Sequence, residues 1–213
     1  IDNKVRHCLT KLSSIHFTST KQYMKRVIQL GENPSTVFDV GGLGAQAVFD
    51  YNLLSKKKLE GRLGIKFSKK NILVTYHPET MSKKNTLFDL KELLKALDHL
   101  DETNIIFTMP NADEGFKKFF STIESFVALQ PKRRKVFKSL GHINYLSCIT
   151  FVDAVIGNSS SGILEAPSFK VGIINIGDRQ KGRIRAENVI DVDPKKVEIT
   201  KAINHIYSKD YQN

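Results

Sequence analysis

The run Asn71-Ile-Leu-Val-Thr-Tyr76 is followed by Thr86–Leu100, with Leu87, Leu90, Leu94 and Leu97 at helical spacing, and then by Asn104-Ile-Ile-Phe-Thr-Met109; these segments decide the fold. A short apolar run without alternation fits a strand buried on both faces, and leucines three and four apart fit a helix with one apolar stripe. Strand, helix and like strand make a βαβ unit, which requires a parallel sheet.

The alternation continues toward the carboxyl end. A helix is predicted over Glu114–Leu129, a strand over Val136–Leu140, a helix over Asn144–Phe151, a strand over Ala154–Gly157 and a helix over Ser161–Ala166. Gly172–Ile176 reads as a strand that leads into an irregular basic loop, and Val189–Val192 as a strand before a last helix at Pro194–Ser208. Toward the amino end, helices are predicted at Lys4–Ser13 and Thr20–Leu30 and strands at His16–Thr18 and Val37–Val40, with a helix inside Ser55–Lys70. The fold class is α/β, a Rossmann-like doubly wound parallel sheet. Gly41-Gly42-Leu43-Gly44 lacks the third glycine at its proper offset and the acidic residue of a dinucleotide fingerprint, so it reads as a tight strand-to-helix turn.

The chain has 213 residues, 33 Lys plus Arg against 22 Asp plus Glu, and a formal charge of +11. A hydrophobic share of 40% beside 26% charged residues fits a folded domain and excludes disordered, collagenous and coiled-coil classes. The excess charge sits in short runs such as Lys56–Lys58, Lys117–Lys118 and Pro131-Lys132-Arg133-Arg134-Lys135, which read as solvated surface. No motif helix or interleaved aromatics accompany them, so nucleic acid is not an expected partner. Cys8 and Cys148 form no Cys-x-x-Cys pair and the histidines have no ligand spacing, so the expectations are a reducing, cytoplasmic location and no metal site. No apolar run approaches the ~20 residues of a membrane span, and no membrane association is expected. The opening at Ile1 rather than Met, inside an amphipathic helix, suggests that a segment has been removed upstream.

Ligands of open parallel sheets bind beyond the carboxyl ends of the strands. The tips there are His77-Pro78, Pro110-Asn111-Ala112-Asp113, Gly141-His142, Gly157-Asn158-Ser159-Ser160-Ser161-Gly162 and Gly177-Asp178-Arg179-Gln180. The Ser-rich tip offers backbone N–H groups, hydroxyls and glycines at a helix start, which suits a diphosphate, and Glu165 lies one turn on, placed to accept from two sugar hydroxyls. Alone, such a tip reads first as an N-cap. The loop Gly177-Asp178-Arg179-Gln180-Lys181-Gly182-Arg183-Ile184-Arg185 shifts the reading, because arginine forks pair with phosphate oxygens. Together the two tips point to a nucleoside diphosphate. His77 reads as structural or as a donor and proton shuttle beside that group.

The segments Gly157-Asn-Ser-Ser-Ser-Gly-Ile-Leu-Glu-Ala-Pro-Ser168 and Ile174-Asn-Ile-Gly-Asp-Arg-Gln-Lys-Gly-Arg-Ile-Arg-Ala186, with His77-Pro78 and Pro110-Asn111, resemble the hydrolysing UDP-N-acetylglucosamine 2-epimerases. The opening Asp2-Asn3-Lys4-Val5-Arg6-His7, followed by Thr10-Lys11, is similar to that family's Asp-Asp-x-x-Arg-His-x-x-Thr-Lys motif, with Asn3 replacing the second Asp. The resemblance implies one half of a glycosyltransferase-B-like two-domain fold. Residues 1–20 would be a connecting segment carrying the end of the amino-terminal half's catalytic motif, and residues 21–213 a carboxyl-terminal Rossmann-like UDP-binding domain. It further implies catalytic roles for Asp2, Arg6 and His77. UDP contacts would come from His77, Asn111, Leu140 beside the uracil, Ser159, Ser160, Gly162, Glu165 and Arg179.

The implied reaction eliminates UDP from UDP-N-acetylglucosamine and hydrates the resulting glucal to N-acetylmannosamine, without cofactor or metal. The complete enzyme would be a homo-oligomer, and this portion alone nearly inactive. A diacetamido-sugar (UDP-N,N'-diacetylbacillosamine) epimerase is the alternative within the family. The nucleotide-sugar half of a glycosyltransferase is the alternative outside it.

Overall fold

The computed structural model describes residues 2–42, 44, 46, 51–78, 86–109 and 117–212. Two compact units divide the chain, 1–50 and 51–213. In the first, α1 (Asp2–Leu12), β1 (His16–Thr18), α2 (Lys21–Gln29) and β2 (Val37–Asp39) follow one another, and β1 pairs with β2 in parallel, with Phe17 opposite Phe38. Thr20 caps α2, its hydroxyl accepting from the Tyr23 N–H. His16, Thr18 and Val37 are buried, and α2 packs on this strand pair. Phe17 and Phe38 stack on each other and stay exposed.

The second unit holds α3 (Lys56–Leu63), β3 (Lys70–Thr75), α4 (Thr86–Asp98), β4 (Thr103–Thr108), α5 (Lys117–Ala128), β5 (Arg134–Phe137), α6 (His142–Ile149), β6 (Ala154–Gly157), α7 (Ser161–Leu164), β7 (Gly172–Ile176), β8 (Val189–Val192), α8 (Lys196–Ile206) and α9 (Lys209–Gln212). Among the described residues, its six strands pair in parallel in the order β5-β4-β3-β6-β7-β8. The chain runs outward from β3 in one direction and from β6 in the other, so the topological switch point lies between those two strands.

Alternate residues explain why these strands read as continuous apolar runs. Ile72, Val74, Ile105, Phe107, Ile156 and Ile174 face a core shared with Leu90, Leu97, Ile123 and Ile203 of α4, α5 and α8. Leu73, Ile106, Val155 and Ile173, one residue out of phase, are equally buried on the opposite face. The doubly wound parallel sheet expected from the sequence is the fold observed. Among the described residues no helix is long and apolar enough to cross a membrane.

Two segments correct the sequence reading. The strand expected at Val136–Leu140 runs from Arg134 to Phe137, because Arg134, read as surface, is buried at 2% exposure. Its guanidinium lies over the Phe126 ring, donates to the Phe126 carbonyl (3.1 Å) and pairs with Asp98 (2.7 Å), which lets a cation enter the sheet. The helix expected at Ser161–Ala166 stops at Leu164 and gives way to a 3-10 turn, Ala166–Phe169, with Pro167 near its start. Proline restricts the residue before it and cannot continue the ladder.

Candidate functional site at the sheet switch point

The site is built where β3 and β6 end side by side. Thr75 is the partner of Gly157 in the last rung of the ladder, and a Cβ on Gly157 would lie 2.0 Å from the Thr75 carbonyl oxygen. With φ at +142°, that position requires glycine. The close approach carries Asn158, fully buried, over the start of the β3 tip. Asn158 Oδ1 accepts from the His77 N–H (2.6 Å), and its Nδ2 donates to the His77 carbonyl (2.9 Å).

The third tip joins through the same residue. The Asn158 carbonyl accepts from Arg179 Nη1 (2.9 Å) and from the buried Gln180 Nε2 (2.8 Å). Gly177, at φ +76°, turns the chain sharply after β7, and its N–H returns to the Val192 carbonyl (2.9 Å). Arg185 is occupied otherwise: it pairs with Asp191 (2.7 Å) and donates to the Arg183 and Gln180 carbonyls, so it braces the loop. Arg179 is exposed.

The Ser-rich tip is organised from within and from α6. Ser159 Oγ lies 3.2 Å from Ser161 Oγ, and Ser161 Oγ also bonds Tyr145 of α6. Burial pushes the Tyr145 phenol up to about 12, so it stays protonated, and either hydroxyl of the pair can donate. Because α7 is so short, the anion-attracting power expected of a helix start falls to the local N–H and hydroxyl groups. Gly162 is buried, and a Cβ there would meet only Ile173 at 3.7 Å, so the glycine is not demanded by packing.

His77 is half-buried. Burial and the neighbouring Arg179 cation hold its imidazole at about 4, so the free protein presents a neutral ring. Partial burial raises the Glu165 carboxyl, while His142 opposes that rise. A small, mainly apolar cavity lies beneath this tip, lined by Val155, Ile163 and Ile173 as well as by Thr75, Ser159 and Asn175.

The structure therefore brings His77, Ser159, Ser160, Gly162, Glu165 and Arg179 to the carboxyl edge of one sheet. Leu140 is buried in the turn before Gly141, where its carbonyl accepts from Asn144 Nδ2 (2.8 Å). Arg6 is an exposed residue of α1 in the first unit. The side chain of Asp2 and the whole of Asn111 lie outside the described residues. Sequence reasoning gave no role to Asn158, Gln180 or Tyr145. Asn158 and Gln180 stood inside the quoted motifs, whereas nothing in the sequence singled out Tyr145.

The family model described as UDP-N-acetylglucosamine 2-epimerase matches residues 1–213, the whole chain. The chain belongs to this family. It is 42% identical over 212 residues to the Campylobacter jejuni GDP/UDP-N,N'-diacetylbacillosamine 2-epimerase (hydrolyzing), covering 100% of this chain and 55% of that protein. It is also 42% identical over 204 residues to the Escherichia coli polysialic acid biosynthesis protein P7, covering 95% of this chain and 51% of that protein. The chain thus spans about half the length of the curated relatives it matches. Among solved structures, the S. aureus MnaA–UDP co-structure superposes with a TM-score of 0.72 at 16% identity, over 94% of this chain and 54% of that one. This epimerase-family chain shares the fold of one half of that larger molecule.

Proposed function

We propose that this chain is the carboxyl-terminal, UDP-binding portion of a hydrolysing UDP-N-acetylglucosamine 2-epimerase. The carrying observation is the convergence of His77, the Ser159–Gly162 tip and Arg179 at the β3–β6–β7 edge, in a chain whose full length matches the epimerase family. The UDP held by the S. aureus relative supports the choice of nucleotide.

In this reading the diphosphate lies against Ser159, Ser160 and the Gly162 backbone, with Arg179 as its counter-ion. Glu165 accepts from the ribose hydroxyls, and Asn111 and Leu140 flank the nucleotide. Residues 1–20 form the connecting segment. A base removes the C2 proton of the sugar as the C1–O bond breaks, and the electron pair of that bond leaves with UDP, giving a 2-acetamidoglucal. Water then adds its oxygen to C1 while C2 takes a proton on the opposite face, which yields N-acetylmannosamine. His77, neutral in the free protein, gains its proton when the diphosphate offsets Arg179, and donates it to the departing phosphate oxygen. Asp2 serves as an acid/base carboxylate and Arg6 as its neighbouring cation. The remaining acidic groups belong to an amino-terminal half, so the 213-residue chain binds UDP weakly and turns over little by itself. The complete enzyme is read as cytoplasmic and homo-oligomeric.

The assay is UDP release from UDP-N-acetylglucosamine by the purified chain and by the complete enzyme, with the sugar product followed by NMR. Trace release by the chain and N-acetylmannosamine from the complete enzyme are expected; robust release by the chain alone contradicts the division of labour. The 42% identity to a diacetylbacillosamine epimerase favours a second reading, in which the sugar is the diacetamido one. The same assay run with both UDP sugars separates the two.

A further inference from the structure

Asn158, in the β6 tip, makes five hydrogen bonds to the β3 and β7 sides of the sheet. Its N–H donates to the Thr75 carbonyl (3.2 Å), its side-chain amide both accepts from and donates to the His77 peptide, and its carbonyl accepts from Arg179 and Gln180. The side chain thereby adds one further rung to the β3–β6 ladder after the backbone rungs end at Thr75 and Gly157. An amide of this length is what the rung needs, with one acceptor and one donor on a single carbon. Aspartate would face the His77 carbonyl with a second acceptor, and leucine would leave the two half-buried His77 peptide groups unpaired.

We infer that Asn158 is a positioning residue that holds His77 and Arg179 in one register across β3, β6 and β7, through its side-chain amide on one side and its carbonyl on the other. What that register serves rests on the UDP reading above, whereas the coupling of His77 to Arg179 does not. The Arg179 charge already acts on the His77 ring, and both groups hang from the same buried residue. Gln180 is the second arm of the clamp: 2% exposed, it spends its amide N–H on the Asn158 carbonyl.

The test uses the full 213-residue chain, labelled for histidine NMR, with UDP as the probe. In Asn158→Ala the carbonyl that holds Arg179 stays, but the His77 peptide loses both of its side-chain partners; the His77 tip loosens and its ring hydrates and shifts off Arg179, so the His77 pKa rises toward the ordinary histidine value. UDP affinity falls about tenfold, the worth of the two neutral hydrogen bonds that hold the His77 peptide in place. Arg179→Ala and Asn158→Ala combine non-additively in the His77 pKa, because a ring released from the rung no longer feels the Arg179 charge in full. An unchanged His77 pKa in Asn158→Ala, or full additivity with Arg179→Ala, overturns the proposal. If Asn158→Ala does not fold, Gln180→Met takes its place. It keeps the volume, removes one arm, and is expected to lower UDP affinity about threefold with a smaller rise at His77; wild-type values for both readouts in that variant overturn the proposal equally. Should the wild-type chain fail to bind UDP, the UDP reading falls, and the His77 titration of the variants still decides the clamp.

Discussion

Two basic stretches of this chain look alike as sequence and are used in opposite ways. Pro131–Lys135 enters β5 at its amino end, and its Arg134 is swallowed by the core, stacked on Phe126 and paired with Asp98. Gly177–Arg185 leaves β7 at its carboxyl end, where Arg185 braces the loop and Arg179 remains at the surface of the site. The residue type is the same and the end of the strand differs. At the amino end an arginine meets helix carboxyl-terminal groups such as the Phe126 carbonyl; at the carboxyl end it meets the tips where parallel sheets bind ligands. The first region should therefore answer to stability measurements and the second to binding measurements.

The largest effect belongs to the point where the two kinds of demand meet. Gly157→Ala forces a Cβ into the Thr75 carbonyl at a backbone angle that L-residues avoid, so a loss of about 3 kcal/mol or more is expected, read as a sharp fall in melting temperature. Arg134→Ala comes next. It removes buried packing on Phe126 and leaves Asp98 half in solvent, for about 2–3 kcal/mol in a denaturation experiment, with UDP affinity of the folded chain unchanged. Arg179→Ala reverses the pattern: UDP affinity drops about tenfold or more while the melting temperature holds, since Gln180 still ties the loop to Asn158. Equal losses of stability and binding in both arginine variants would erase the contrast between the two regions.

A separate effect is on acid stability. Because the folded-state pKa of His77 is depressed to about 4 from 6.5, the unfolded chain binds more protons between those values, and stability falls as pH drops through that window. His77→Asn should flatten part of the decline in melting temperature from pH 6.5 to pH 4; an identical decline in both proteins would place His77 outside the buried, cation-flanked setting described.

Much of this was legible in the sequence. The β3, β4, β6 and β7 runs announce strands buried on both faces, and the polar tips after them mark the binding edge because topology places every tip of a parallel sheet on one side. Arg134 was illegible, since its neighbours Arg133 and Lys135 make it one of a basic run, and only the Phe126 ring and Asp98 show why it goes inside. The early end of α7 was readable from Pro167. The Asn158 rung was not, because its partner peptide at His77 lies 81 positions away, and only the fold brings the two together.

On the proposed reading, UDP occupies the edge where β3, β6 and β7 end. The most direct test of that placement is an amide NMR titration of the 213-residue chain with UDP. Saturable shifts concentrated at His77, Ser159–Gly162 and Gly177–Arg179 are expected, with the Arg134 region silent. Shifts centred elsewhere, or no saturable change, would contradict it.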